Sequence, residues 1–174
     1  MLRHISFVLI IGSRVNVDPS LSCEGCFNEI TEIWPGMYAY KNTITFNNLK
    51  GDEYLFVGLP KLNTEKPLKI INPNKDFVVI YTHDMQTYER QWYLGMALIL
   101  PKNKFKGIGK SPDEGNVSKT YYALLKIENN KPISYFAVGC WELSDKNFRN
   151  EEYFEKYLIN LSNQLAIKPI VKVK

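Results

Sequence analysis

His83 ends the run Phe77-Val-Val-Ile-Tyr-Thr-His-Asp84, and its ring titrates near neutral pH. At a strand end it is placed to act as a general acid or base on a bound substrate. The same position equally suits a histidine that only bonds loop backbone. Asp84 follows it, but successive strand residues point to opposite faces, so the pair need not touch. Asp84 therefore reads first as an Asx-type turn residue. Past the polar linker Met85–Gln91, the residues Tyr88, Arg90 and Trp92 alternate. In an extended chain these three share one face, and Arg90 suits the carboxylate of an acidic sugar through two parallel hydrogen bonds. The alternative is an ordinary surface loop.

A second alternation lies in Ile133–Trp141. Tyr135, Ala137, Gly139 and Trp141 share one face, and Phe136, Val138 and Cys140 share the other. The second set reads as core. In the first, two aromatics flank two small residues and leave a trough in which a sugar ring can stack. A facing sheet can equally fill it. His83, Arg90, Tyr135 and Trp141 together, with Tyr88 and Trp92 beside them, form the candidate saccharide surface. Asp113 and Glu114 sit in a Gly/Pro loop, where adjacent acids are usually only solvated. The thiols are Cys23 and Cys26, a C-x-x-C pair, and Cys140 alone in an apolar run. A zinc site wants a second pair or nearby histidines, and the two histidines, His4 and His83, lie far from the pair in sequence. No metal site and no cofactor is expected.

The elements that must position these residues come from an ordinary globular composition. The chain has 174 residues, 45% hydrophobic and 23% charged, which suits one domain with a real core. Its net charge of +4 is spread, without a basic run, so nucleic acid is not an expected partner. No apolar stretch is long enough for a membrane-spanning helix. Met1-Leu-Arg-His followed by Ile5–Ile11 reads either as a core strand or as a remnant export signal.

Strand-like runs appear at Met37–Phe46, Tyr54–Leu59, Leu68–Ile71, Phe77–Thr82, Trp92–Leu100, Tyr121–Ile127, Ile133–Trp141 and Pro169–Val173. Asn129-Asn-Lys131 reads as a tight turn that pairs Tyr121–Ile127 with Ile133–Trp141 in a hairpin. Phe154, Tyr157, Leu158, Leu161 and Leu165 recur at helical spacing from Asn150, a suitable N-cap, to Leu165. The expected fold is mainly β, a two-sheet antiparallel sandwich with one C-terminal α-helix. Lys102–Lys119 reads as a long polar loop, functional or disordered.

Several pieces in order resemble a known family. They are Gly58-Leu-Pro-Lys61, Tyr81-Thr-His-Asp84, Leu94-Gly-Met-Ala-Leu-Ile-Leu-Pro101, Ser111-Pro-Asp-Glu-Gly115, Gly139-Cys-Trp-Glu142 and Glu152-Tyr-Phe-Glu-Lys-Tyr-Leu158. Together they resemble the C-terminal portion of a bacterial family catalogued as domain of unknown function DUF4861, from polysaccharide-degrading bacteria. The resemblance spans Glu32 to Lys174 and leaves the first 31 residues poorly matched. It implies the β-supersandwich of galactose mutarotases, a periplasmic or extracellular protein, and a carbohydrate context without a defined reaction. Members are longer, so the resemblance also implies an exposed apolar face or edge and self-association. Carbohydrate recognition or processing, on an acidic plant-type polysaccharide, is thus the leading expectation. The alternative is a non-catalytic module or inactive fragment that docks through a sheet edge.

Overall fold

The computed structural model describes residues 27–61, 63–115 and 117–167, the side chain of Tyr88 excepted, together with the backbone of residues 7–10. The strands are β1 (Phe7–Ile10), β2 (Phe27–Ile33), β3 (Ala39–Phe46), β4 (Tyr54–Pro60), β5 (Lys69–Ile71), β6 (Phe77–Asp84), β7 (Leu94–Pro101), β8 (Phe105–Lys110), β9 (Thr120–Lys126) and β10 (Pro132–Trp141). Helix α1 is Glu151–Ala166, preceded by a 3-10 turn at Lys146–Arg149. The expected two-sheet, mainly-β fold with a C-terminal helix is the observed one. One sheet runs β2-β3-β10-β7-β6-β5, antiparallel throughout. Facing it is the antiparallel sheet β4-β9-β8, whose β4 also pairs in parallel with β1.

The larger sheet is covered on both faces, which explains the unbroken apolar runs of β6 and β7. Toward the smaller sheet point Val78, Ile80, Leu98, Leu100, Ile133, Tyr135 and Ala137, which pack on Leu55, Val57, Leu59, Ala123 and Leu125. On the other face Val79, Tyr81, Ala97, Ile99, Phe136, Val138 and Cys140 pack under Phe148 and the α1 stripe Phe154, Leu158 and Leu161. Helical periodicity therefore predicts the buried stripe correctly. The Asn150 side chain caps the helix, accepting a hydrogen bond from the backbone N–H of Tyr153 at 3.1 Å.

The helix comes close to the sheet at Gly95. A Cβ built there would lie 2.7 Å from the Phe154 ring, with helix and strand both fixed by packing. Gly95→Ala is thus an overpacking substitution, expected to cost about 1–3 kcal/mol of stability. Urea titration checks this, and a midpoint equal to wild type would show that Phe154 yields freely.

Three expectations need correction. Tyr121–Ile127 and Ile133–Trp141 do not pair: β9 lies between β4 and β8, and β10 between β3 and β7. Asn129–Lys131 does turn the chain, with Asn130 at φ 58°, but the turn crosses from one sheet to the other. The reason is side-chain direction. Leu125, Ile127, Ile133 and Tyr135 all enter the space between the sheets, so the two strands meet face to face instead of edge to edge.

Phe105–Lys110, expected as loop, is strand β8. The hydroxyl end of the Tyr122 side chain lies across Gly109, 2.3 Å from where a Cβ would fall. Gly107, at φ 153°, sits at a bulge. Third, the chain is not extended through Tyr88–Trp92. Tyr88–Arg90 forms a 3-10 turn with Glu89 at φ 61° and Arg90 at φ 53°, so the alternation of Tyr88, Arg90 and Trp92 places no common face. Cys23, Cys26 and the expected strand Pro169–Val173 lie outside the described residues, and the expected strand Ile5–Ile11 is described only at the backbone of 7–10.

Candidate functional site

His83 is 2% exposed, on the helix side of β6. Its ring is stacked between Tyr93 and Phe154, each centroid 5.5 Å away. Nε2 lies 2.7 Å from the carbonyl oxygen of Phe148. A carbonyl only accepts, so Nε2 carries the proton and Nδ1 the lone pair. Nδ1 is buried without a hydrogen-bond partner. Burial lowers the His83 pKa, against smaller raising effects from the Phe148 carbonyl, Glu151 and Asp84. The ring is thereby occupied on both faces and at one nitrogen. Its job in the fold is to tie β6 to the 3-10 turn Lys146–Arg149.

Asp84 does not join it. One carboxylate oxygen accepts from the N–H groups of Glu65 (3.0 Å) and Lys66 (3.3 Å) and from the Thr64 hydroxyl (3.2 Å). The other oxygen accepts from Met85 N–H at 2.8 Å, one residue on and not the two of the expected Asx-type turn. Burial pushes its pKa up, but these donors outweigh burial and lower it overall.

Tyr135 is fully buried between the sheets, its hydroxyl accepting from the Asn42 amide at 2.9 Å. The facing sheet fills the inner half of the expected trough. Its outer half, Gly139 and Trp141, is exposed, and a Cβ on Gly139 would touch nothing within 4 Å. Trp141 pairs across the ladder with Leu94, and the exposed Trp92 lies just before that strand. Arg90 is an exposed arm in an ion pair with Glu65. The Tyr88 side chain lies outside the described residues. Asp113 pairs with Lys110 at 3.2 Å. His83 and Tyr135 are thus on opposite faces of the larger sheet, Arg90 is engaged elsewhere, and the four do not converge.

The structure instead brings together residues that sequence reasoning missed. An open groove of about 690 Å³ runs along the start of α1, lined by Lys146, Asn147, Arg149, Asn150, Glu152, Tyr153 and Lys156. The 3-10 turn supplies Lys146 and Arg149. The outward face of the first helical turns supplies Glu152, Tyr153 and Lys156, opposite the buried stripe. Arg149 stacks its guanidinium over Tyr93, 5.8 Å from the ring centre, so an Arg149–Tyr93–His83–Phe154 column runs from groove to core. Exposed Tyr153 and exposed Tyr38 both stand edge-on against buried Phe148, at 5.3 and 5.1 Å. The Tyr153 hydroxyl donates to Asp145 at 3.2 Å, which raises the phenol's pKa.

The charge balance of the groove is set by what the other acids do. Glu151 faces away, bound to Lys69 at 2.7 Å and Lys66 at 3.2 Å. Burial pushes its carboxyl up, but the two ammonium groups outweigh burial and hold it low. Glu155 accepts from the buried Tyr81 hydroxyl. Lys146, Arg149 and Lys156 make no ion pair among the described residues. The groove thus offers three cations without an ion pair, the lining carboxylate of Glu152, the Asp145 carboxylate bonded to the Tyr153 hydroxyl and Asn147 N–H, and the Tyr153 ring. It can hold a ligand with several anionic oxygens through charge-assisted hydrogen bonds. No cluster of three metal-ligating side chains occurs among the described residues, and no described helix is long and apolar enough to cross a membrane.

No curated protein and no solved structure matches this chain. A family model does: its description is a domain of unknown function, DUF4861, it matches residues 27–171, and the chain belongs to that family.

Proposed function

We propose that the protein recognises an anionic, uronate-type saccharide in the groove at the start of α1, and that it binds this ligand without transforming it. The observation that carries this is the set of three unpaired cations, Lys146, Arg149 and Lys156, on one groove beside Tyr153. Carboxylates spaced along an acidic sugar chain match separated cations, and tyrosine faces suit the C–H faces of sugar rings. Arg149 is held by its stack on Tyr93, so little side-chain freedom is lost when it pairs with a carboxylate. The enclosed His83 supports binding over acid–base chemistry in this region, because its ring has no open face. A carbohydrate context and a periplasmic or extracellular location, implied by the family resemblance alone, are part of the same proposal.

Titration calorimetry with oligogalacturonate and with a neutral oligosaccharide of equal length tests the proposal. The acidic ligand is expected to bind, more weakly as salt rises. Lys146→Ala and Arg149→Ala should each weaken it about tenfold, the scale of one charge-assisted hydrogen bond. Equal affinity for the neutral ligand, or unchanged affinity in the double variant, would remove the groove from the function.

A further inference from the structure

The sheet edges of this molecule are unlike one another. At one end of the larger sheet, β5 has three residues, and its Lys69 is tied to Glu151. In the smaller sheet β8 is bulged at Phe105/Gly107 and carries Lys106 and Lys110. Short length, bulges and edge lysines all keep a foreign strand away. The β2 edge, outermost in its sheet among the described residues, has none of these. It is seven residues long and pairs with β3 from Phe27 to Ile33 without a register shift. Ile30 is 53% and Ile33 74% exposed, with exposed Trp34 directly after them. Of its two acids, Glu32 is paired within its own sheet to Lys41 at 2.8 Å.

We infer that β2 is a self-recognition edge: two copies of this chain join β2 to β2, antiparallel, about a two-fold axis at Ile30. This register sets Ile30 against Ile30, Glu29 against Thr31, Asn28 against Glu32 and Phe27 against Ile33. No acid faces an acid, each carboxylate meets a hydrogen-bonding neutral side chain, and the exposed Ile33 meets Phe27. Strand residues turn their N–H and C=O groups outward alternately. A two-fold at Ile30 pairs even with even and odd with odd, so the outward groups meet whichever set they belong to. A slip of one residue breaks that match, and moving the axis to Glu29 sets Glu29 against itself. The result is one sheet continuous across both copies, with the two α1 grooves left open. This inference is independent of the saccharide proposal.

Sedimentation of the purified full chain at micromolar concentration tests it. Wild type is expected at twice the monomer mass. Ile30→Lys sets two ammonium groups together on the axis and should return the mass to monomer. Ile70→Lys, on the β5 edge, should leave the dimer intact. As a second route, Ile30→Cys in a Cys23→Ser/Cys26→Ser background should form a disulfide-linked dimer without reductant. Antiparallel partners sit about 4.5–5.5 Å apart at Cα, within disulfide reach. A wild-type monomer, a dimer that survives Ile30→Lys, or an oxidised Ile30→Cys chain that stays uncrosslinked would each overturn the inference.

Discussion

Leu158→Ala is expected to lower the unfolding free energy by about 2–5 kcal/mol, the range for truncating a fully buried leucine. Leu158 has no exposed surface and lies among Phe154, Leu161, Phe148 and the helix-side residues of β6, β7 and β10. The cavity would open between a rigid sheet and a helix whose start is held by Asn150, Glu151 and Phe148, so collapse into the space is limited. Its backbone carbonyl, which accepts from the Ser162 hydroxyl at 2.7 Å, is untouched, so the loss isolates packing. Ile167→Ala, just past the helix and largely exposed, serves as the control and should stay within about 0.5 kcal/mol of wild type. An unchanged denaturant midpoint for Leu158→Ala would mean that α1 is peripheral to folding. Because the same helix carries Tyr153 and Lys156, detaching it would also dismantle the groove.

The elements that sequence made legible are those whose patterns have one physical cause. β6 is apolar from Phe77 to Tyr81, and β7 throughout, because both faces are covered, and α1 shows its stripe because one face is. β8 is hidden because its glycines read as loop, although Gly107 sits at a bulge in the ladder and Gly109 lies beside the Tyr122 side chain. The pairing of β9 and β10 was misread because a short Asn-rich turn looks the same whether it closes a hairpin or crosses a sandwich. Only the shared destination of Leu125 and Tyr135 between the sheets distinguishes the two.

The groove was harder still. Lys146 and Arg149 belong to a 3-10 turn, and Tyr153 and Lys156 to a helix, so no single period connects them. A local cue did exist. Asn150 as N-cap fixes which way the first helical turns face, and with Phe154 inward, Tyr153 and Lys156 must point out. Alternation in the linker suggested Tyr88, Arg90 and Trp92 instead, and that rested on an extended backbone which two left-handed residues remove.

His83 ties the readable and unreadable parts together, and its titration should be visible in stability. Burial lowers its pKa from the ordinary 6.5. In that case the unfolded chain takes up a proton at a pH where the folded chain still resists it, so stability rises with pH across the window. His83's contribution is full above pH 6.5 and is lost progressively as the pH falls from 6.5 toward the lowered folded value. Protonation would place a second N–H at Nδ1, where no acceptor exists, between the Tyr93 and Phe154 rings. Glu151 and Asp84 temper the cost from their sides, while Lys66 adds to it. Glu29 works in the opposite sense, since burial raises its pKa, so total stability is a poor probe and a difference is needed. His83→Phe keeps the stack but leaves the Phe148 carbonyl without its donor, at a cost of about 1–3 kcal/mol at neutral pH. Below pH 6.5 the gap between wild type and variant should narrow, because only wild type carries the histidine penalty. Thermal unfolding of both proteins from pH 7 downward measures that gap. Curves that run parallel would mean that His83 protonates in the fold without strain. A narrowing gap would also bear on the groove, because the Nε2–Phe148 bond holds the turn carrying Lys146 and Arg149, and affinity for oligogalacturonate should fall in His83→Phe even at neutral pH.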